Sequence, residues 1–169
     1  DELHLPFNFL LLQSPWDAAV MRGVVEKMEG LLPEFAWPNY VLGNHDQMRI
    51  ASKCGGQAQA RVAAMMLLTL RGTPTLYQGD EIGTESVPIP PEKLQDPQGV
   101  NLGAERSRDA WRTPMQWDGS ENAGFCESGV EPWLPLTADY EERNVAVMAE
   151  DERSILVLYQ KLLAVRRES

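Results

Sequence analysis

Basic charge is scarce in this 169-residue chain. Fifteen Lys and Arg face 25 Asp and Glu, for a net charge of −10. No block of five or more basic residues occurs, so the surface is acidic and repels nucleic acid and anionic membranes. Histidine is almost absent: only His4 and His45 could supply imidazoles, which excludes a multi-histidine metal site. Cysteine is nearly as rare. Cys54 and Cys126 lie far apart and form no CxxC pair, so no disulfide framework exists. Both read as free thiols, with a lone bridge as the alternative. No apolar run reaches membrane-spanning length. No signal peptide is recognisable, and the chain opens on Asp1 and enters an apolar stretch at once; it reads as excised from something longer. Internal repeats and low-complexity segments are missing too.

What is present is an ordinary globular content of apolar residues, 43%, and one stretch that organises the rest. Tyr40-Val41-Leu42 is a short β-prone run that ends at Gly43. Asn44-His45-Asp46-Gln47-Met48-Arg49 follows. An imidazole, a carboxylate and a guanidinium within one turn of chain suit a polyhydroxylated ligand. The same residues also suit a capped strand-to-helix turn, and the residues alone leave both readings open.

The remaining pattern is an α/β one. Leu3 to Leu12 is dense in apolar residues and reads as a strand buried on both faces. Ser14-Pro15-Trp16-Asp17 announces a helix with Ser14 as its N-cap, and Val20, Val24, Met28 and Leu31 form its stripe. Gly30 and Pro33 stop it. After the strand at 40–42, a second helix runs from about Gln57 to Leu70, with Val62, Met65, Met66 and Thr69 on its inner side. Thr73 to Gln78 is a third strand, ending in Gly79-Asp80-Glu81. Residues 1–82 are therefore β-α-β-α-β, which implies a parallel sheet. Residues 83–153 form an irregular excursion. Its large aromatics Trp111, Trp117, Phe125 and Trp133 argue for order and serve packing before sugar stacking. Ser154 caps a last helix to about Arg167, with Ile155, Leu158, Tyr159 and Leu162 inward.

Several blocks carry a family resemblance. Gly43-Asn44-His45-Asp46 resembles the fourth conserved region of the α-amylase superfamily of retaining glycoside hydrolases (family 13). Gly72 to Gly83, GTPTLYQGDEIG, resembles the segment around that family's last barrel strand. Arg108-Asp109, Arg112 to Asp118 (RTPMQWD), Asn122 to Phe125 and Pro132 to Pro135 resemble its α-glucosidase and oligo-1,6-glucosidase branch. The resemblance implies a partial (β/α)8 TIM barrel: strands six to eight with their helices, then the long irregular segment before the last helix. It implies that the first five strands and the following β-sandwich domain lie outside this chain.

The resemblance further implies roles. Asp46 matches the family's third catalytic carboxylate, the transition-state stabiliser. His45 matches the histidine that binds hydroxyls of the same sugar, and Asn44 belongs to the same substrate-binding cluster. Arg49 matches a substrate-binding arginine that pairs with a carboxylate elsewhere in the barrel and helps hold the non-reducing end of the sugar. Neither the nucleophile nor the general acid has a match here, no calcium-loop pattern is present, and no metal or other cofactor is implied. Asp80 and Glu81 are adjacent, would point to opposite faces of a strand, and are left out of the site.

The function so implied is that of a fragment of a retaining α-glucosidase-like enzyme acting on short α-linked glucosides, inactive alone. The alternatives are a glucosyl transferase or isomerase of trehalose synthase type, and a non-catalytic binding or partner module. The implied partners are an α-glucoside and either a second copy or a missing amino-terminal barrel part. The compartment is not fixed, with the cytoplasm slightly favoured.

Overall fold

A computed structural model describes residues 5–168. Leu3 and His4 lie outside the described residues. The elements follow in chain order as helices α1 (Leu10–Gln13) and α2 (Ala18–Leu31), strand β1 (Asn39–Val41), helices α3 (Ile50–Lys53) and α4 (Gln57–Thr69), and strand β2 (Thr73–Thr75). Helices α5 (Pro97–Leu102), α6 (Val145–Glu150) and α7 (Ile155–Glu168) complete them, with short 3-10 turns between β2 and α6.

β1 and β2 pair in parallel, Tyr40 opposite Pro74, with α4 as the crossover. Thr75 Oγ1 donates to Asn39 Oδ1 across the ladder at 2.6 Å. All three residues of β1 are buried, as a strand covered on both faces requires.

The expected first strand is reduced to a single parallel bridge, Asn8 to Tyr40, among the described residues. Local chemistry explains the change. Asn8 Oδ1 accepts from Leu10 N at 3.0 Å and turns the chain into α1, which buries Leu11 and Leu12. The third strand is likewise shorter than expected, ending at Thr75.

Helix α2 is capped by Asp17, not Ser14: Asp17 Oδ1 accepts from Ala19 N and Val20 N, each at 3.0 Å. Ser14 Oγ instead donates back to Leu10 O. The stripe is also rotated. Met21, Val24, Val25 and Met28 face the core, whereas Val20 and Leu31 are exposed.

The inner face of α4 is turned from the expected one: Met66 packs against the core as expected, but Val62, Met65 and Thr69 do not. Ala60, Ala63, Ala64, Leu67 and Leu68 are buried, and Val62 and Met65 are half exposed. Small side chains win because this helix is packed on two sides, against the strand layer and against α7. Leu11, Met21, Tyr40, Leu42, Ile50, Ala63 and Leu67 form one core cluster. Ala51, Cys54, Ala60, Ala64, Leu68, Ile155 and Tyr159 form the other. Trp16 and Leu76 pack against both.

Helix α7 matches its expected span. Ser154 Oγ accepts from Val157 N at 3.0 Å as its cap. Near its end, Arg166 Nη1 donates to Leu68 O at 2.8 Å and Leu70 O at 2.7 Å, satisfying carbonyls that α4 leaves open. Both cysteines are free.

Candidate functional site

β1 is followed by Leu42 and Gly43, both buried, and then by an exposed turn. Asn44 Oδ1 accepts from Asp46 N at 2.9 Å, so Asn44 shapes the turn through its side chain. His45 and Asp46 are lifted out of the scaffold, their side chains 64% and 43% exposed. The His45 ring stands 3.3 Å, Nε2 to Oδ2, from the Asp46 carboxylate.

Two arginines from the irregular excursion close on the same carboxylate. Arg108 Nη1 donates to Asp46 Oδ1 at 2.8 Å and Arg112 Nη2 to the same oxygen at 3.0 Å. Arg112 Nε also donates to His45 O at 2.9 Å. One oxygen of Asp46 is thus committed to the arginines, and the other faces His45 and solvent. Desolvation raises the Asp46 pKa, but the Arg108 bond, the His45 ring and the Arg112 bond outweigh it. The carboxyl is held below its ordinary value. The turn presents a fixed anion beside an imidazole, an arrangement able to bind neighbouring hydroxyls and to stabilise developing positive charge.

Arg49 does not join this cluster. It is 1% exposed, lies 4.7 Å over the Tyr77 ring, and donates through Nη1 to Gln78 O. Its Nε and Nη2 have no acceptor among the described residues.

Asp80 and Glu81 sit on a 3-10 turn, Asp80–Ile82, where a strand end was expected. Glu81 Oε2 accepts from Gly79 N at 2.7 Å. Asp80 is 3% exposed directly under the turn at residues 44–46: a Cβ on Gly43 would stand 3.0 Å from Asp80 Oδ2. Burial, with Glu81 adding to it, outweighs Arg49 and the Tyr77 amide and pushes the Asp80 pKa up to about 7.

A pH dependence follows. The folded chain holds the Asp80 proton more tightly than the unfolded chain, whose value is near 3.8. This contribution is therefore greatest below the unfolded value and falls as pH rises toward about 7, by up to about 1.4 kcal/mol per pH unit. Asp46 and Asp96, both lowered, act oppositely and only at more acid pH. Urea midpoints are expected to fall between about pH 5 and pH 7 in the unaltered chain and to stay level across that window in Asp80→Asn.

The excursion supplies more of the site than its sequence suggests. Arg108 and Arg112 were legible only as parts of family blocks, with no local cue that they reach Asp46. Trp117 and Phe125 are about half exposed, where packing was expected, and line a cavity of about 350 Å³ with Glu81 and Arg112. Among the described residues, no three His, Cys, Asp or Glu side chains gather to hold a metal ion.

The Alpha amylase, catalytic domain family profile matches residues 11–169. The chain belongs to the alpha-amylase family. It is 36% identical to an oligo-1,6-glucosidase of Parageobacillus thermoglucosidasius, over 91% of this chain and 31% of that protein. It is 39% identical to the human amino acid transporter heavy chain SLC3A1, over 95% of this chain and 22% of that protein. The crystal structure of an alpha-glucosyl transfer enzyme, XgtA, superposes with a TM-score of 0.88 at 37% identity, covering 98% of this chain and 31% of that one. This alpha-amylase family chain spans about a third or less of each of these relatives. The family's catalytic domain implies a (β/α)8 barrel, and the described residues form a two-stranded parallel sheet. No described helix is long and apolar enough to cross a membrane.

Proposed function

We propose that this chain is the part of a retaining α-glucosidase-like barrel that holds strands six to eight, and that the whole enzyme cleaves short α-linked glucosides. The division is 1–82 for the three strand segments, 83–153 for the excursion and 154–167 for the last barrel helix. The observation that carries the reading is the Asp46 carboxylate, held by two arginines on one oxygen and open beside His45 on the other.

In this mechanism the nucleophile and general acid come from strands outside these residues. Asp46 and His45 bind adjacent hydroxyls of the sugar undergoing cleavage. The Asp46 anion favours the oxocarbenium-like state more than the ground state. Asn44 keeps the turn in shape. Arg49 takes a carboxylate from another barrel segment on its unpartnered Nε and Nη2. Alone, the chain is inactive and associates through its apolar face. Phe7, Phe9, Phe35 and Trp37 help line a groove of about 1060 Å³, with Phe35 90% exposed. The rest of the barrel is the proposed occupant, with a second copy of the chain as the substitute.

A second reading, glucosyl transfer, draws on the similarity to the alpha-glucosyl transfer enzyme. An acceptor sugar would replace water at the covalent intermediate. Products from maltose separate the two: glucose alone, or new and longer sugars.

The test is hydrolysis of p-nitrophenyl α-glucoside by the chain alone and by the chain fused to the first five strands of a glucosidase relative. No turnover alone and turnover in the fusion are expected. Turnover by the chain alone would overturn its dependence on other strands. A folded fusion without turnover would overturn the glycosidase reading.

A further inference from the structure

We propose that Asp96 is a positioning residue for Asp46, acting through Arg108. It deepens the reading of Asp46 as the sugar-binding carboxylate and rests on that reading for its part in the whole enzyme.

Arg108 serves two carboxylates at once. Its Nε donates to Asp96 Oδ2 at 2.8 Å and its Nη2 to Asp96 Oδ1 at 2.9 Å, a bidentate grip. The remaining nitrogen, Nη1, donates to Asp46 Oδ1. The backbone N of Arg108 also donates to Asp96 Oδ2, at 2.8 Å. A guanidinium on a flexible side chain is therefore fixed at both ends of its plane. Arg112, by contrast, is held by Asp46 and the His45 carbonyl.

Asp96 is itself built in. It is 2% exposed and caps α5, accepting from Gln98 N at 3.2 Å. Its own N–H donates to Asp109 Oδ2 at 2.9 Å, an oxygen that also accepts from Gln95 N and Ser107 Oγ. Gly99 lets α5 close on the returning chain: a Cβ there would stand 2.5 Å from Ser107 Cβ. The ladder from Asp109 through Asp96 to Arg108 is hydrogen-bonded at every step, and it ends on Asp46. Arg108 in turn holds the Asp96 carboxyl well below the usual carboxylate range.

Direct electrostatics and positioning act on Asp46 with opposite signs. Replacing Asp96 by Asn removes a nearby anion, which by charge alone lowers the Asp46 titration midpoint. Releasing Arg108 from its anchor weakens the bond to Asp46 and raises that midpoint. Asn also keeps the helix cap, so the variant loses the ion pair without losing the end of α5.

The experiment is carboxyl-carbon NMR titration of Asp46 in the full chain, with no sugar present. Asp96→Asn is expected to raise the Asp46 midpoint, by roughly one pH unit, as Arg108→Gln does. Arg108→Lys keeps the charge but loses the fork, and is expected to raise it as well. It also covers the case in which Asp96→Asn does not fold. An Asp46 midpoint that falls or stays put in folded Asp96→Asn, or that stays put in Arg108→Lys, would overturn the proposal. Glucoside turnover does not enter this readout, so failure of the glycosidase reading is seen separately, in the barrel fusion.

Discussion

Asp46→Asn in the barrel fusion lowers kcat for glucoside hydrolysis by about 10²–10³-fold, the scale of losing one fixed electrostatic contact to a transition state. The side chain keeps its shape, so the turn built by Asn44 survives. What goes is the anion between Arg108, Arg112 and His45. KM changes far less than kcat, because an amide still bonds to hydroxyls but cannot answer developing positive charge. Steady-state kinetics on p-nitrophenyl α-glucoside read both constants. A variant within threefold of the parent in kcat would remove Asp46 from the chemistry and leave it as a turn residue held by arginines.

The second large effect concerns stability. Gly72 joins α4 to β2 with φ +113°, and a Cβ there would stand 2.3 Å from the Pro38 carbonyl oxygen. That carbonyl also accepts from Thr73 N at 2.7 Å, the bond that starts the strand pairing, and Gly72 O accepts from Arg166. The obstacle is backbone and cannot swing aside. Gly72→Ala is expected to cost about 3 kcal/mol or more, a large share of a marginal total. Gly23→Ala is the control. Gly23 lies on the exposed face of α2 with nothing within 4 Å of an added Cβ, so the change stabilises by about 0.5–1 kcal/mol. Urea midpoints of the two variants should move in opposite directions. Equal midpoints would mean that the Pro38 contact relaxes freely.

By itself, the sequence determined the succession of α2, β1, α4 and β2, the span of α7, and the polar turn that follows β1. These are local matters: apolar spacing, a serine cap and a glycine that ends a strand act within a few residues of themselves. The family block at 43–46 also marked Asn44, His45 and Asp46 as one polar group.

Tertiary structure decided which face of each helix turns inward. Periodicity marks a stripe but not what packs on it, so the small residues of α4, wedged between the strands and α7, displaced Val62 and Met65 from the core. It decided that Asn8 bends the chain into α1 instead of extending a strand. It also buried Arg49 against Tyr77 while bringing Arg108 and Arg112, more than 60 residues from Asp46 in sequence, onto its carboxylate. No local pattern encodes such a meeting, because a charged side chain finds its partner only when the intervening chain has folded back. The excursion between 83 and 153 looked like packing material. Folded, it carries the two arginines that hold the Asp46 carboxylate in place.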